Sequence, residues 1–296
     1  MIACPSGESD MQDTVVVIPC FNEASRLDIG RLSKFTAQTP SVALLFVNDG
    51  STDTTREVLD RLQHSNPQRI RIHHAIKNSG KAEAVRQGIL IAMRTQAKFI
   101  GYWDADLATP LEAILQCRDV LLRRAECHTV LGSRVAMLGH QIERKWTRHI
   151  LGRAFAWAAS IVLGLKIYDT QCGAKMFRAS PDLLAVFQQR FHSRWIFDVE
   201  ILARMIRSGM CETTSATNAA IYEHPLDQWN DVPGSKLKST DFFRAAYELA
   251  SIHYRYMRVD RKPEKQGQPT RGAGSGAKPV GIERASKTNP ESLKVA

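Results

Sequence analysis

The sequence predicts an α/β fold with a mainly parallel central sheet flanked by helices. Three observations lead there. Short apolar runs rich in β-branched and aromatic residues alternate with segments of helical length through the first half of the chain. Polar and charged clusters recur where those runs end, which is where open α/β sheets bind ligands. The 296 residues are 44% hydrophobic and 24% charged, enough for one large α/β domain or two small ones, and too apolar for a chain disordered throughout.

In chain order, Val15–Ile18 reads as a strand, Ala24–Phe35 as a helix and Ala43–Val47 as a strand. Thr54–Gln63 follows as a helix that Thr52 or Asp53 can cap. Arg69–His73 is a strand, Lys81–Thr95 a helix and Phe99–Trp103 a strand. Thr109-Pro110 is a good start for a helix over Leu111–Arg124, and Thr129–Leu131 is a strand. Strand–helix alternation of this kind builds βαβ units. After Gly132 the pattern changes. Arg144, Lys145, Arg148 and Arg153 interleave with Trp146, Ile150, Leu151, Phe155 and Trp157 in a basic amphipathic stretch. Met176-Phe177 reads as a short strand, Asp198–Ser208 as a helix ended by Gly209, Asn218–Tyr222 as a strand and Leu237–Met257 as a last helix. The expected domain runs from 13 to 258, between a flexible 1–12 and a disordered basic tail at 259–296. From Asp260 onward eight basic and four acidic residues give the tail a net charge of +4.

The whole chain carries a formal charge of +10, which points to an anionic partner without choosing among nucleic acid, an anionic membrane surface and a phosphorylated substrate. Cysteines stand at 4, 20, 117, 127, 172 and 211 with no C-x-x-C pair, so buried thiols in a reducing compartment are expected rather than zinc or disulfides. Met1 to Asp13 lacks a basic start followed by an apolar run, so no secretory leader is expected. The longest charge-free apolar stretch runs from Ala154 to Leu165, well short of the about 20 residues that span a bilayer. A cytoplasmic protein that can attach peripherally to the membrane face is the expectation.

Four clusters carry possible chemistry. In Ile18-Pro19-Cys20-Phe21-Asn22-Glu23 a strand ends in polar residues; Asn22 and Glu23 can bond a nucleobase or ribose, or simply cap a helix and build a turn. Val47-Asn48-Asp49-Gly50-Ser51-Thr52-Asp53 places Asp49 at a strand tip, where it can accept bonds from ribose or a base, or form part of an ordinary loop with Asp53 as a cap. In Tyr102-Trp103-Asp104-Ala105-Asp106, residues i and i+2 of an extended chain point the same way. Two like charges side by side are costly unless a cation lies between them, and hard oxygen ligands suit Mg²⁺ or Mn²⁺. The fourth cluster, Asp169-Thr170-Gln171-Cys172-Gly173-Ala174-Lys175-Met176-Phe177, is as compatible with a structural loop as with a site. Cys172 has no His nearby in sequence to activate it as a nucleophile. Lys77-Asn78-Ser79-Gly80-Lys81 opens a helix whose N-terminus favours phosphate, without the spacing of a P-loop, and Gly132-Ser133-Arg134 ends a strand on a cation. Trp195, Phe197 and Trp229 read as core or pocket wall, and Trp229 can stack on a sugar ring.

Taken in order, P-C-F-N-E at 19–23, V-N-D-G-S-T-D at 47–53, K-N-S-G-K at 77–81, D-A-D at 104–106 and G-S-R at 132–134 resemble the family 2 glycosyltransferases. The strings at 169–177, 195–200 and 233–236 look like the branch that glucosylates dolichyl or other polyprenyl phosphates. The resemblance covers about residues 13 to 258. It implies a GT-A type nucleotide-sugar-binding fold and a divalent metal held by Asp104 and Asp106. It implies a nucleotide pocket lined by Pro19, Asn22, Glu23, Asp49, Asp53, Lys81 and Asp104. It also implies an acceptor phosphate gripped by Arg134 and Arg148, on a helix that lies near the membrane in such enzymes. The chain has Gly152 where relatives often carry Ser, Ala174 where they often carry Phe, and none of the membrane spans found in several of them.

The chemistry so implied is inverting transfer of a hexose from a nucleotide diphosphate, glucose from UDP-glucose by resemblance. A hydroxyl acceptor requires a general base, whereas a lipid phosphate is ionised at pH 7 and requires cations to place it. Arg134, Arg144, Lys145, Arg148, Lys175 and Lys236 surround the expected acceptor region and favour a polyprenyl or dolichyl phosphate, with Asp169 as a base or charge-positioning residue. The alternatives are a saccharide or other hydroxyl acceptor, or a GDP-mannose donor. The basic residues form no recognised nucleic-acid-binding motif, so nucleic acid is not expected as a partner.

Overall fold

The side chains of β1 (Thr14–Cys20) alternate between two apolar layers. Val15 and Val17 enter one, with helices α3 (Lys81–Ala92), α5 (Trp146–Leu163), α6 (Pro181–Gln188), α7 (Phe197–Arg207) and α8 (Ser239–Ile252). Val16 and Ile18 enter the other, with α1 (Ile29–Gln38), α2 (Thr55–Ser65) and α4 (Ala113–Arg123). This period of two is what a sheet covered on both faces demands. It explains why every residue of β2 (Val42–Asn48) and β4 (Phe99–Trp103) is buried.

The computed structural model describes residues 12–135, 141–142, 146–211, 219–229 and 239–258. The expected termini at 1–11 and 259–296 lie outside them. The main sheet has seven strands in the order β3-β2-β1-β4-β7-β5-β8, where β3 is Ile70–His74, β5 Thr129–Ser133, β7 Ala174–Arg178 and β8 Ile221–Pro225. β1 to β4 are mutually parallel, as are β5 and β8; only β7 runs the other way, between β4 and β5. The mainly parallel α/β sheet is therefore as expected. A two-stranded parallel pair, β6 (Gln141–Ile142) and β9 (Gln228–Trp229), was too short to leave a periodic signal.

The reversal of β7 determines the site. Trp103 pairs with Ala174 and Leu131 with Lys175. The segment entering β7 is thus laid across the C-terminal tips of β4 and β5, bringing the D-T-Q-C-G residues to the D-A-D turn and to Arg134. Two other departures have local causes. The first helix starts at Ile29 rather than Ala24, because Asp28 caps Arg31 N at 2.9 Å while Glu23 and Arg26 pair in the preceding loop. The last helix ends at Ile252 in a π-helical turn, His253–Met257. Helix α6 went unpredicted although Ser180-Pro181 signals it: Ser180 Oγ accepts from Leu183 N at 3.1 Å.

Candidate functional site

A solvent-open cavity of about 350 Å³ lies at the strand tips, within the range that small ligands occupy. Of the expected nucleotide residues, Pro19, Glu23, Asp49, Lys81 and Asp104 line it, and so do Asp106, Arg26 and Asn78. Asn22 and Asp53 do not line it. Asn22, at φ 56°, accepts from Thr52 N at 2.9 Å and Asp53 N at 3.3 Å. Asp53 accepts from Thr55 N at 3.0 Å and Ala24 N at 3.3 Å. Both side chains are spent tying the 20–24 loop to the 49–55 loop, the turn-building role that the residue types equally allowed.

Asp49 spans the cavity floor. Its two oxygens accept from Ser79 N at 2.9 Å and Gly80 N at 2.7 Å, so the tip of β2 holds the N-terminus of α3. Gly50 allows the close approach, since a Cβ there would stand 2.6 Å from Asn78 N, and its φ of +64° belongs to the left-handed region. The arrangement presents Lys81. Its Nζ lies 2.5 Å from Asp104 Oδ1. Its side chain is 43% exposed; partial desolvation works against the lysine's charge, but the carboxylates of Asp104, Asp198 and Asp106 together hold its pKa above the ordinary value.

Asp104 and Asp106 share the cavity wall, brought there by the turn that follows β4, in which Leu107 N donates to Asp104 O at 3.2 Å, and not by the extended chain that the sequence suggested. Asp104 Oδ1 is buried and, although ion-paired to Lys81, receives no aligned hydrogen bond. Burial and then the like charge of Asp104 raise the pKa of Asp106. Two carboxylates on one cavity wall, the second disfavoured in its ionised form by burial and by the first, fit a divalent cation. Among the described residues no group of three or more His, Cys, Asp or Glu is placed to hold a metal. A cation here would therefore take its remaining ligands from water and substrate phosphates, as Mg²⁺ and Mn²⁺ commonly do.

The expected acceptor cations divide. Arg134 forms a fork with Asp169, Nε to Oδ2 at 2.6 Å and Nη2 to Oδ1 at 2.8 Å, and its guanidinium lies 5.3 Å from the Trp229 ring centroid. Burial opposes its charge, but Asp169, and more distantly Asp104, hold its pKa above the usual value. The sequence allows Asp169 to be a base or a positioning charge, and the geometry is that of a positioning charge. Asp169 is held in turn by Glu223 of β8, which accepts from Tyr168 N at 2.8 Å and Asp169 N at 2.9 Å, while Arg153 of α5 donates to Tyr168 O at 2.9 Å.

Lys175 requires a correction. It is fully buried, and its Nζ bonds Cys172 O at 2.7 Å and Asp198 Oδ1 at 2.5 Å, so it is an internal ion pair and not an acceptor-facing cation. It alternates inward because β7 is a central strand. Arg148 lies in the first turn of α5, but its side chain falls outside the described residues, and Arg144, Lys145 and Lys236 lie outside them entirely. Phe197 is core as expected, whereas Trp195 is 41% exposed. All five cysteines among the described residues are buried and free, and burial pushes the Cys172 thiol up to about 11, far from a thiolate nucleophile. Arg26, Glu223 and Asp198 were missed. Arg26 follows the first cluster in the same loop and Asp198 lies within the 195–200 string, but neither residue type announced a role there, and Glu223 reaches Asp169 only through the pairing of β5 with β8.

Known proteins resemble this chain in sequence and in fold. The family model of glycosyl transferase family 2 matches residues 15–183, more than half of the chain. The dolichyl-phosphate beta-glucosyltransferase of Trichomonas vaginalis is 28% identical over 251 residues, covering 81% of this chain and 70% of that protein. That of Saccharomyces cerevisiae is 29% identical over 262 residues, covering 82% and 74%. Among solved structures, glucosyl-3-phosphoglycerate synthase from Mycobacterium tuberculosis in complex with Mn²⁺, UDP-glucose and phosphoglyceric acid aligns with a TM-score of 0.57 at 17% identity, covering 81% of this chain and 78% of that one. The last likeness is one of fold, and the fold is the expected GT-A type.

Proposed function

The chain belongs to glycosyl transferase family 2 and is a hexosyltransferase, and from that premise we propose that it transfers glucose from UDP-glucose to a polyprenyl or dolichyl phosphate with inversion. The observation that carries the donor half is the cavity in which Asp104 and Asp106 stand with Lys81 and Arg26. Carboxylates for a divalent cation and cations for phosphate oxygens are what a nucleotide diphosphate sugar requires. A bound Mg²⁺ or Mn²⁺ would act as a Lewis acid on the departing diphosphate. Lys81 supplies a second positive charge on the same side, held in place by Asp49 through the α3 N-terminus.

The acceptor half rests on the state of Asp169. Both its oxygens are engaged by Arg134, and Oδ1 also accepts from Gln171 N at 3.1 Å, so it is poorly placed to remove a proton from a hydroxyl. A phosphate nucleophile is already ionised and needs only placement. The names of the Trichomonas and yeast relatives agree with this acceptor. No helix among the described residues is long and apolar enough to cross a membrane. Peripheral attachment is supported instead by Trp157 and Ile161 on α5 and by Phe243 and Tyr247 on α8, exposed pairs at i, i+4 spacing on a chain of net charge +10. On that ground we propose peripheral attachment to an anionic membrane surface.

Radiolabelled UDP-glucose with Mn²⁺ and either dolichyl or undecaprenyl phosphate should yield label extractable into organic solvent. Absence of such label from both acceptors would sink the reading; label from GDP-mannose alone would move it to a mannosyl donor. Arg134→Ala should raise the acceptor KM by ~10–100-fold, the loss of one charge-assisted contact, while leaving the donor KM within about twofold. Steady-state kinetics with each substrate varied in turn separates the two.

A further inference from the structure

The D-A-D turn leans on a buried charge that no ligand-facing role explains. Lys175 is completely buried and Asp198 nearly so. A methionine fills a similar volume without desolvating an ammonium, so packing alone does not account for a lysine there. Its bonds run in a definite direction. One goes to Cys172 O at 2.7 Å, fixing the turn that enters β7. The next residue, Gly173, accepts from Asp104 N at 2.9 Å, and a Cβ on it would stand 1.9 Å from Asp104 Oδ2. The turn thus packs directly against the Asp104 carboxylate and limits where it can point. The other bond goes to Asp198, in the first turn of α7, where the helix dipole favours a carboxylate and where Tyr102 also donates to it. Tyr102 is the register partner of Lys175 and lies two residues before Asp104.

We infer that Lys175 and Asp198 are positioning residues for the metal-binding carboxylate of Asp104, acting through the Cys172-Gly173 turn. This rests on the assignment of Asp104 and Asp106 as metal ligands. The pair fixes the turn against β4, the turn fixes the carboxylate, and α7 becomes part of the support of the metal site although none of its residues lines the cavity.

The test uses the full chain carrying Lys175→Met with Asp198→Asn, which removes both charges at once and leaves neither unpaired. Two quantities are read: the thermal midpoint, and Mn²⁺ affinity in the presence of UDP, from the paramagnetic resonance signal of free Mn²⁺. Positioning predicts a folded protein whose Mn²⁺ Kd rises about 10–100-fold, the usual loss when a residue supporting a metal ligand is removed. A folded double variant with an unchanged Kd overturns the inference. Should the double variant fail to fold, Asp198→Asn alone, which keeps the shape and removes the charge that holds Lys175, decides the matter: a raised Kd supports the inference and an unchanged Kd overturns it. If the unsubstituted chain itself takes up no Mn²⁺ with UDP, the metal assignment falls and the inference with it, an outcome distinct from the failure of positioning alone.

Discussion

Asp106→Ala should lower the rate of sugar transfer by about 1000-fold or more, equivalent to ~4 kcal/mol of transition-state stabilisation, within what a catalytic metal supplies. The fold should survive. Asp106 ends a strand-tip turn, and its side chain accepts one bond from Ala108 N at 3.1 Å. Losing such a bond costs about 1 kcal/mol. Part of that is returned, because burial and the neighbouring Asp104 already disfavour the ionised form. The measurement is an initial rate at saturating donor and Mn²⁺ beside a thermal midpoint. Normal activity in excess metal would remove Asp106 from the metal site.

Gly173→Ala should be nearly as damaging from outside the ligand set. The added methyl would sit 1.9 Å from Asp104 Oδ2 and 2.2 Å from its Cγ, so the carboxylate must rotate or the turn must retreat. Overpacking of this kind costs about 1–3 kcal/mol of stability. The loss of function should be larger, on the order of 100-fold in kcat/KM, because a catalytic group displaced by about an ångström loses that much. Gly30→Ala is the control: its added methyl meets only Asp28 Oδ1 at 3.6 Å, in the exposed first turn of α1, so activity should be unchanged. If both variants kept full activity, close packing of Gly173 on Asp104 would have no functional weight.

Much of the donor side was legible because parallel strands end in their own loops. The positions of Pro19, Asp49, Lys81, Asp104 and Asp106 follow from counting along single strand–loop–helix units, and the cavity gathers all five. What sequence could not separate was a polar side chain facing a ligand from one facing the backbone. Asn22 and Asp53 have the same residue types as their neighbours, yet their oxygens are consumed by loop N–H groups. The acceptor side was less legible because it is assembled across the sheet. Lys175 is expected at the acceptor phosphate, but its strand is central and buries it, and Glu223 reaches Asp169 from a strand more than fifty residues away. The Ser180-Pro181 helix start is itself a legible signal.

The reversed strand β7 has an evolutionary consequence. The five residues from Asp169 to Gly173 bridge the proposed acceptor and donor sides of the site: the first holds Arg134, and the last backs Asp104. Strand pairing anchors one end of this segment and the Glu223 bonds anchor the other. Its length is consequently locked. An inserted or deleted residue would disturb donor and acceptor chemistry together, so new acceptors are reachable by side-chain replacement on the β5 and β8 sides far more readily than by remodelling this loop. Deletion scanning across 169–173, read by initial rates beside thermal midpoints, should leave no active variant.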